Sequence, residues 1–199
     1  TYDDENIKNY SHGMFQSVYD YPYLSSSANH IFDITVGYSS VSGYSASANS
    51  QNSKKINIYN QLAQLGVGYD KDGNIQRFDE DGDLTGGTKI NEAIFVTFSR
   101  LLVKDEIKKG TFNLNLGSDP TFANPHAAHI TVTDKDGISG YKVNSPVGEY
   151  GILYATHSFG TQTLGADRVD STGHAKCGLL FYQAGIAVIT ASLFMSSSD

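Results

Sequence analysis

The least polar stretch of the chain is the segment Cys177–Phe194, in which 13 of 18 residues are apolar and none is charged. Such a segment must be buried in a core, in a bilayer or against another subunit. Its length reaches the lower limit for spanning hydrocarbon, but Gln183 interrupts it near the middle and no basic cluster follows it. The pattern therefore predicts no membrane span but a hairpin of two buried strands, Gly178–Tyr182 and Ile186–Phe194, joined by a turn at 183–185.

Alternating apolar and polar residues predict most of the remaining strands. In His30–Tyr38 every second residue falls on an apolar face, and the residues from Thr111 onward alternate in the same way. Shorter patterns predict a strand at 151–157 and a hairpin of 130–132 with 138–143. These segments make the chain predominantly β.

Helical spacing of apolar residues occurs in two segments. The first helix begins near Asn49 or Ser50, either of which could cap it. Ile58, Leu62 and Leu65 recur at helical spacing and are expected to form its buried stripe.

The second helical segment opens at Thr88, which is the expected N-cap. The pattern predicts the main core helix of the protein, with 103–109 extending it, and the run Phe95–Phe98 leaves a strand as the alternative. Its apolar face consists of Ile90, Ile94, Phe98, Leu101 and Leu102.

Together the elements predict one α+β domain over residues 1–199, with a predominantly antiparallel β-sheet or sandwich and two helices. Residues 1–28, rich in Tyr and Ser, are predicted to form an extended arm, and residues 29–199 the α+β core. Only 18% of the residues are charged, which is typical of surfaces that pack permanently against other subunits. The net charge of −7 argues against a nucleic-acid partner, because binding phosphates requires an excess of Lys and Arg.

The acid-rich segment 69–87 is the first candidate for chemistry. It contains Asp-x-Asp-Gly twice, at 70–73 and at 79–82, so its carboxylates could converge on a hard cation such as calcium. The spacing departs from that of an EF-hand, and Asp-Gly is among the strongest turn signals, so we favour two turns bounding a short hairpin. Whether calcium binds here stays open, and the candidate ligands are the carboxylates of Asp70, Asp72, Asp79, Asp81 and Asp83.

No other segment predicts a catalytic, cofactor-binding or metal-binding residue. The spacing of His126 and His129 would suit one metal ion on a helix, but Pro125 favours a loop there. Cys177 is the only cysteine and is predicted to be a buried core residue. The carboxylates that a hydrolase would need are too scattered in sequence to indicate one, and they are Glu92, Glu106 and Glu149.

Long phrases of the chain resemble a structural protein of tailed bacteriophages of marine bacteria, particularly T4-like cyanophages. The resemblance covers about Asn29 to Phe194. It is carried by SSANHIFDITVGYS, NSQNSKKINIYNQLAQ, TGGTKINEAIFVTFSRLLVKDEIKKGTFNLNLG, SPVGEYGILYAT and CGLLFYQAGIAVITASLF. It implies a virion component, in the tail, baseplate or neck more than in the capsid shell, and it brings no activity or binding residues.

We therefore expect a non-enzymatic building block of a virion, which binds other copies of itself and neighbouring virion proteins in a symmetric ring or array. Leu193 and Phe194, at the end of the apolar block, are expected to reach a partner. The alternative is a carbohydrate- or receptor-binding module, calcium-assisted, in which exposed Tyr side chains and the Asp-Gly loops contact the ligand.

Overall fold

The computed structural model describes residues 5–46, 50–84, 86–98, 106–121, 123–159 and 169–194. In these ranges the chain forms ten strands and one α-helix, α1, at Ser50–Gly66. The strands are β1 Ile7–Asn9, β2 Gln16–Tyr19, β3 His30–Tyr38, β4 Glu92–Phe98, β5 Asn113–Gly117, β6 His129–Thr133, β7 Lys142–Ser145, β8 Gly148–His157, β9 Ala175–Phe181 and β10 Ile186–Thr190.

All ten strands belong to one antiparallel sheet, in which the spatial order is β1-β2-β3-β4-β10-β9-β8-β6-β5. β7 and β6 pair with the same side of β8. β7 pairs with the first half of β8, and β6 pairs with the second half. The β-rich, predominantly antiparallel α+β fold predicted from the sequence is confirmed. The described residues contain one α-helix where two were predicted.

The predicted C-terminal hairpin lies in the middle of the sheet. β9 and β10 pair with each other, while β10 also pairs with β4 and β9 with β8. Both faces of the hairpin are covered, which explains its continuous apolar sequence. The second strand ends at Thr190 and not at Phe194, because Ala191–Phe194 form a turn of 3-10 helix. Leu193 is 4% exposed and belongs to the core, whereas Phe194 is 44% exposed.

A β-bulge at Cys177 changes which residues of β9 face each side of the sheet. The register of β9 against β8 skips this one residue, between Lys176 and Gly178. A side chain at Gly178 would collide with the carbonyl oxygen of Val188 on β10, so glycine is required beside the bulge. As a result Cys177 faces the same core as Leu180, which confirms that the cysteine is buried.

The two faces of the sheet carry two separate hydrophobic cores, because side chains alternate along each strand. The helix-side core lies between the sheet and α1 and includes Tyr59, Phe78, Phe95 and Phe181. The inner core lies on the opposite face and includes Leu153, Leu180, Ala187 and Ile189.

The sheet curls around the inner core. The rings of Phe98 and Phe112 lie 5.8 Å apart, although Phe98 ends β4 and Phe112 precedes β5. Four strands lie between β4 and β5 in the sheet. Only a strongly curved sheet brings these two rings into contact.

The helix α1 lies against the sheet beside β3 and closes the helix-side core. Its fully buried side chains are Tyr59 and Ala63, and the hydroxyl of Tyr59 donates a hydrogen bond to the carbonyl oxygen of Ile90 (2.5 Å). Of the predicted buried stripe, Ile58 and Leu62 are partly buried against this core, whereas Leu65 is 46% exposed. Within the described residues, no helix has the length and apolar character needed to cross a membrane.

The second predicted helix is wrong over residues 92–98, which form the central strand β4. Ala93 and Phe95 enter the helix-side core, while Ile94 and Val96 enter the inner core. Because both faces of β4 are buried, the segment is apolar throughout, and Ile94 and Phe98 fall at helical spacing without a helix. The predicted continuation over 99–105 lies outside the described residues, as does Asn49, the other candidate cap of α1. Residues 106–109, the end of the predicted extension, are not helical.

Residues 7–19, predicted as part of an extended arm, form β1 and β2 and extend the sheet beyond β3. Asp33 of β3 accepts a hydrogen bond from the hydroxyl of Ser17 (2.5 Å) and lies 2.8 Å from Nε2 of His30. The ladder and these polar contacts hold the N-terminal strands on the sheet.

The hairpin predicted across Asp136-Gly137 is not formed, because β6 pairs with β5 and β8 while β7 pairs with β8. The N–H of Gly137 donates to the carbonyl oxygen of Asp134 (2.7 Å), which makes a tight turn directly after β6. The buried carboxylate of Asp134 also accepts hydrogen bonds from the N–H groups of Gly110 (2.6 Å) and Phe112 (2.9 Å). These bonds attach the turn to the segment that precedes β5.

Candidate functional site

Three carboxylates of the acid-rich segment lie together on the helix side of the sheet. One carboxylate oxygen from each residue lies within 4.8 Å of the others, and the residues are Asp79, Asp81 and Asp83. Phe78 is fully buried in the helix-side core and holds the start of this loop, while Asp79 forms a β-bridge with Lys89 across it. The buried side chain of Phe78 therefore anchors the loop that brings these charges together.

Lys89 contributes its charge to this cluster. Asp79 has no exposed surface, and its Oδ2 forms an ion pair with Nζ of Lys89. The amide N–H of Asp81 lies 3.4 Å from Oδ1 of Asp79. Among the described residues, these three carboxylates are the one group that could hold a metal ion. A cation would have to compete with Lys89 for Asp79.

The carboxyl groups of Asp79 and Asp81 titrate as a pair. Burial raises the pKa of Asp79, and the neighbouring carboxyl of Asp81 acts in the same direction against the ammonium of Lys89. Burial also acts to raise the pKa of Asp81, but hydrogen bonds with Asp79 and with the N–H of Asp83 outweigh it and lower the pKa. Asp79 therefore takes up the first proton as the pH falls.

Packing against β8 fixes the loop that carries these carboxylates. The hydroxyl of Tyr150 donates a hydrogen bond to the carbonyl oxygen of Gly82 (2.7 Å). Gly82 has a φ of +73°, and a methyl group there would come within 2.9 Å of Ile152. Leu84 has a φ of +63°, which is rare for any residue other than glycine, Asn or Asp. These contacts attach Gly82 and the carboxylates beside it to β8.

The first Asp-x-Asp-Gly unit is a solvent-exposed turn, as predicted. Oδ1 of Asp70 accepts hydrogen bonds from the N–H groups of Asp72 (2.9 Å) and Asn74 (2.8 Å). Hydrogen bonding from Asn74 lowers the pKa of Asp70. Gly73 has a φ of +82°, and Tyr69 bridges to Ile75 across the turn. Asp70 and Asp72 thus do not belong to the group of three carboxylates.

The two candidate metal-binding histidines lie in a loop and at the start of β6. Nδ1 of His129 lies 3.3 Å from the carbonyl oxygen of His126, so the ring of His129 is turned toward the backbone. His129 is the first residue of β6, which confirms the prediction of a loop followed by a strand.

The scattered glutamates are partly brought together, around Lys109. Nζ of Lys109 lies 2.5 Å from Glu149 and 3.6 Å from Glu106, and the hydrogen bond with Glu149 raises the pKa of the lysine. The side-chain amide of Gln183 donates to Glu106 (3.1 Å). Glu92, on β4, instead accepts a hydrogen bond from Ser42. The network holds the segment before β5 against the β9–β10 turn, and no local sequence signal predicts it.

Two sheet edges are visible in the described part of the chain, and they differ in character. β1 has three residues with Lys8 at its centre, and β2 beside it has an irregular register with β3. β5 has five residues and pairs only with β6, in an uninterrupted register. Thr111–Ser118 contains neither a charged residue nor proline.

A shallow groove of about 300 Å³ lies between the β1–β2 loop, β3 and α1. Met14, Phe15, Ile34 and Val36 supply most of its apolar lining. Burial lowers the pKa of Lys55, which donates a hydrogen bond to the carbonyl oxygen of Met14 (3.3 Å) at one side of the groove.

Ten of the exposed large apolar and aromatic side chains lie in three segments of the described chain. Leu24, after β2, is 86% exposed, and Ile138 and Val143, on either side of the start of β7, are exposed to a similar degree. The exposed members are Phe15, Tyr21, Tyr23 and Leu24 in the first segment, Val36, Val41 and Tyr44 in the second, and Ile138, Tyr141 and Val143 in the third.

A scan against models of known protein families and searches of curated proteins and of solved structures give no match to this chain.

Proposed function

We propose that this chain is a non-enzymatic structural subunit of a tailed-phage virion, in the tail, baseplate or neck. It works by binding other copies of itself and neighbouring virion proteins. The observation that carries the proposal is the exposure of large apolar and aromatic side chains in three segments, at 15–24, 36–44 and 138–143. Exposed apolar groups of this size mark surfaces that are covered by a partner.

The distribution of charge supports the same function. The chain has a net charge of −7, so two copies repel each other wherever their acidic surfaces meet. Only 18% of its residues are charged, however, and the exposed apolar segments can be buried without removing many charges from water. The resemblance of residues 29–194 to a structural protein of marine tailed phages points to a virion as the assembly.

The direct test is to look for the chain in particles and to measure its self-association. We expect mass spectrometry of purified particles to find it at a fixed copy number, and the isolated chain to form larger species as its concentration rises. A chain that stays monomeric at every concentration and is absent from purified particles would overturn the proposal.

Phe194 and Leu193 provide a matched pair of variants for this test. Phe194 is half-exposed, so Phe194→Asp should reduce assembly and leave the melting temperature nearly unchanged. Leu193 is buried in the inner core, so Leu193→Asp should lower the melting temperature instead. If Phe194→Asp assembles like the unmodified chain, this end of the core does not contact a partner.

A second candidate function is a carbohydrate- or receptor-binding module assisted by calcium. The observation that favours it is the convergence of Asp79, Asp81 and Asp83. Calcium should then raise the melting temperature, and replacing the three aspartates by Asn should remove that increase. Assembly through apolar surfaces requires no response to calcium.

A further inference from the structure

We propose that the edge of β5 is the site at which two copies of this chain pair, strand against strand, about a two-fold axis through Asn115. The inference rests on the proposed function, since it assigns part of the self-association to one named strand. It makes the sheets of two copies continuous across the interface.

In the part of the chain that the structure describes, the outer edge of β5 is unpaired and carries no protecting feature. In the described part of the chain β5 is the last strand of the sheet and pairs with β6 alone. Soluble monomers usually protect such an edge with a charged residue, a proline, a bulge or a very short strand. The segment 111–118 has none of these features, whereas the opposite edge strand β1 is short and carries Lys8.

The hydrogen-bond pattern of β5 shows which backbone groups face outward. Ser118 donates its N–H to the carbonyl oxygen of Ala128 (2.8 Å), so residue 118 is directed toward the β6 side. Because such pairs alternate along an antiparallel ladder, Leu116 and Leu114 are also bonded to β6. The N–H and C=O groups of the residues between them point to the open edge, and these residues are Asn113, Asn115 and Gly117.

These outward groups are self-complementary. When Asn115 faces Asn115 of a second copy, Asn113 faces Gly117 at both ends, and every facing pair can exchange two hydrogen bonds. About six backbone hydrogen bonds form in this register, and a shift of the two strands leaves fewer. The register with Asn115 at its centre is therefore the preferred one.

The side chains suit the same register. Leu114 and Leu116 point toward the inner core but are only partly buried. Leu114 of one copy would lie beside Leu116 of the other, which extends the inner core across the interface. On the outer face, the exposed amides of the two Asn115 side chains become neighbours.

The absence of charged residues on β5 suits pairing with a second copy. Two chains of net charge −7 approach each other with least repulsion along an uncharged strand.

The first test measures self-association of two lysine variants by sedimentation velocity over a range of concentrations. Asn115→Lys places two like charges opposite each other and should weaken self-association by about tenfold or more. Asn9→Lys makes the same change on the β1 edge and should associate like the unmodified chain. The melting temperature of each variant at low concentration checks that it folds.

The second test locates the axis by cross-linking. Facing residues of a hydrogen-bonded antiparallel pair have Cα atoms about 5.5 Å apart, a distance that a disulfide spans. Asn115→Cys should therefore give a cross-linked dimer under mild oxidation, while Asn9→Cys should not. Because the native Cys177 is buried, it does not compete.

The outcomes separate this inference from the proposed function. If the unmodified chain self-associates but Asn115→Lys associates equally well and Asn115→Cys does not cross-link, the β5 interface is wrong while assembly stands. If the unmodified chain is monomeric at every concentration, both are overturned. Loss of association and formation of the cross-link at residue 115 alone support the interface.

Discussion

The chain contains the sequence Asp-x-Asp-Gly twice, at 70–73 and at 79–82, and folds the two copies into opposite environments. In the first copy Asp70 is partly exposed, and its carboxylate accepts hydrogen bonds from N–H groups of its own turn. In the second copy Asp79 has no exposed surface and pairs with Lys89. The same four-residue pattern is therefore a surface turn in one place and a buried charge cluster in the other.

The difference comes from what lies beneath each copy. The second copy follows Phe78, which is fully buried, and its glycine packs against Ile152 of β8. At Gly73 of the first copy, an added methyl group would meet no atom within 4 Å. Local sequence thus determines that a turn forms, while the surrounding packing determines whether its charges are buried.

The largest expected effect comes from adding a methyl group to each glycine. Both glycines have a positive φ, so alanine costs about 1 kcal/mol at either position. At Gly82 the new methyl group would also lie 2.9 Å from Ile152, and this overpacking adds about 2 kcal/mol. Denaturant unfolding should show Gly82→Ala destabilised by about 3 kcal/mol and Gly73→Ala by about 1 kcal/mol. Equal losses would mean that the second loop does not pack on β8.

The next effect concerns the lysine that accompanies each copy. Lys89→Met leaves the buried charge of Asp79 without its ion pair and should lower the free energy of unfolding by about 2 kcal/mol at neutral pH. Lys71 lies 3.4 Å from Asp72 and its side chain is 89% exposed, so Lys71→Met is the matched control. The control should change the free energy of unfolding by less than about 0.5 kcal/mol. A Lys89→Met variant as stable as this control would contradict the buried ion pair.

The dependence of stability on pH should have opposite signs for Asp79 of the second copy and Asp70 of the first. The folded state raises the pKa of Asp79 above its ordinary value of 3.8, so it retains a proton that the unfolded chain has released. The stability that Asp79 contributes is therefore lost as the pH rises from 3.8 through the raised pKa of the folded state. The folded state lowers the pKa of Asp70, so its contribution is present above the ordinary value and is lost as the pH falls.

Melting temperatures from about pH 3 to about pH 7 test these signs. The melting temperature of the unmodified chain minus that of Asp70→Asn should increase as the pH rises. The same difference for Asp79→Asn should decrease. Two differences that move in the same direction with pH would show that the two carboxyl groups share one environment.

The smallest expected effect is that of calcium. Lys89 already pairs with Asp79, and Asp70 and Asp72 are outside the cluster, so about 1 mM calcium should leave the melting temperature unchanged. Differential scanning fluorimetry after treatment with a chelator measures this. An increase that disappears in Asp81→Asn would favour the calcium-assisted binding module over assembly.

The sequence predicts those features of the fold that depend on neighbouring residues. The turn at 70–73 follows from its Asp-Gly dipeptide, and the strand His30–Tyr38 follows from alternation. The closing hairpin follows from two apolar runs that Gln183 divides. For β4 the sequence favours a helix over the strand alternative, because burial on both faces removes the alternation that identifies a strand. The prediction fails there because a continuous apolar run without an internal interruption suits a helix as well as a strand.

The candidate site was only partly predictable for the same reason. The five aspartates predicted as candidate calcium ligands include the three that cluster. No local feature of the sequence, however, distinguishes Asp79 from Asp70. That distinction requires Lys89, Tyr150 and Ile152, which approach only in the folded chain. The buried carboxylate of Asp134 was missed entirely, because its partners at 110, 112 and 182 are distant in sequence.

The central position of β10 has a consequence for how the chain folds. β10 is the last strand in chain order among the described residues, yet it lies between β4 and β9. Until it is in place, β1–β4 and β5–β9 are two partial sheets with exposed apolar edges. Contacts between residues 93–97 and 186–190 join distant parts of the chain, and such contacts slow folding. The sheet is therefore completed only after these residues have left the ribosome, and the risk of aggregation during synthesis is set by these partial sheets.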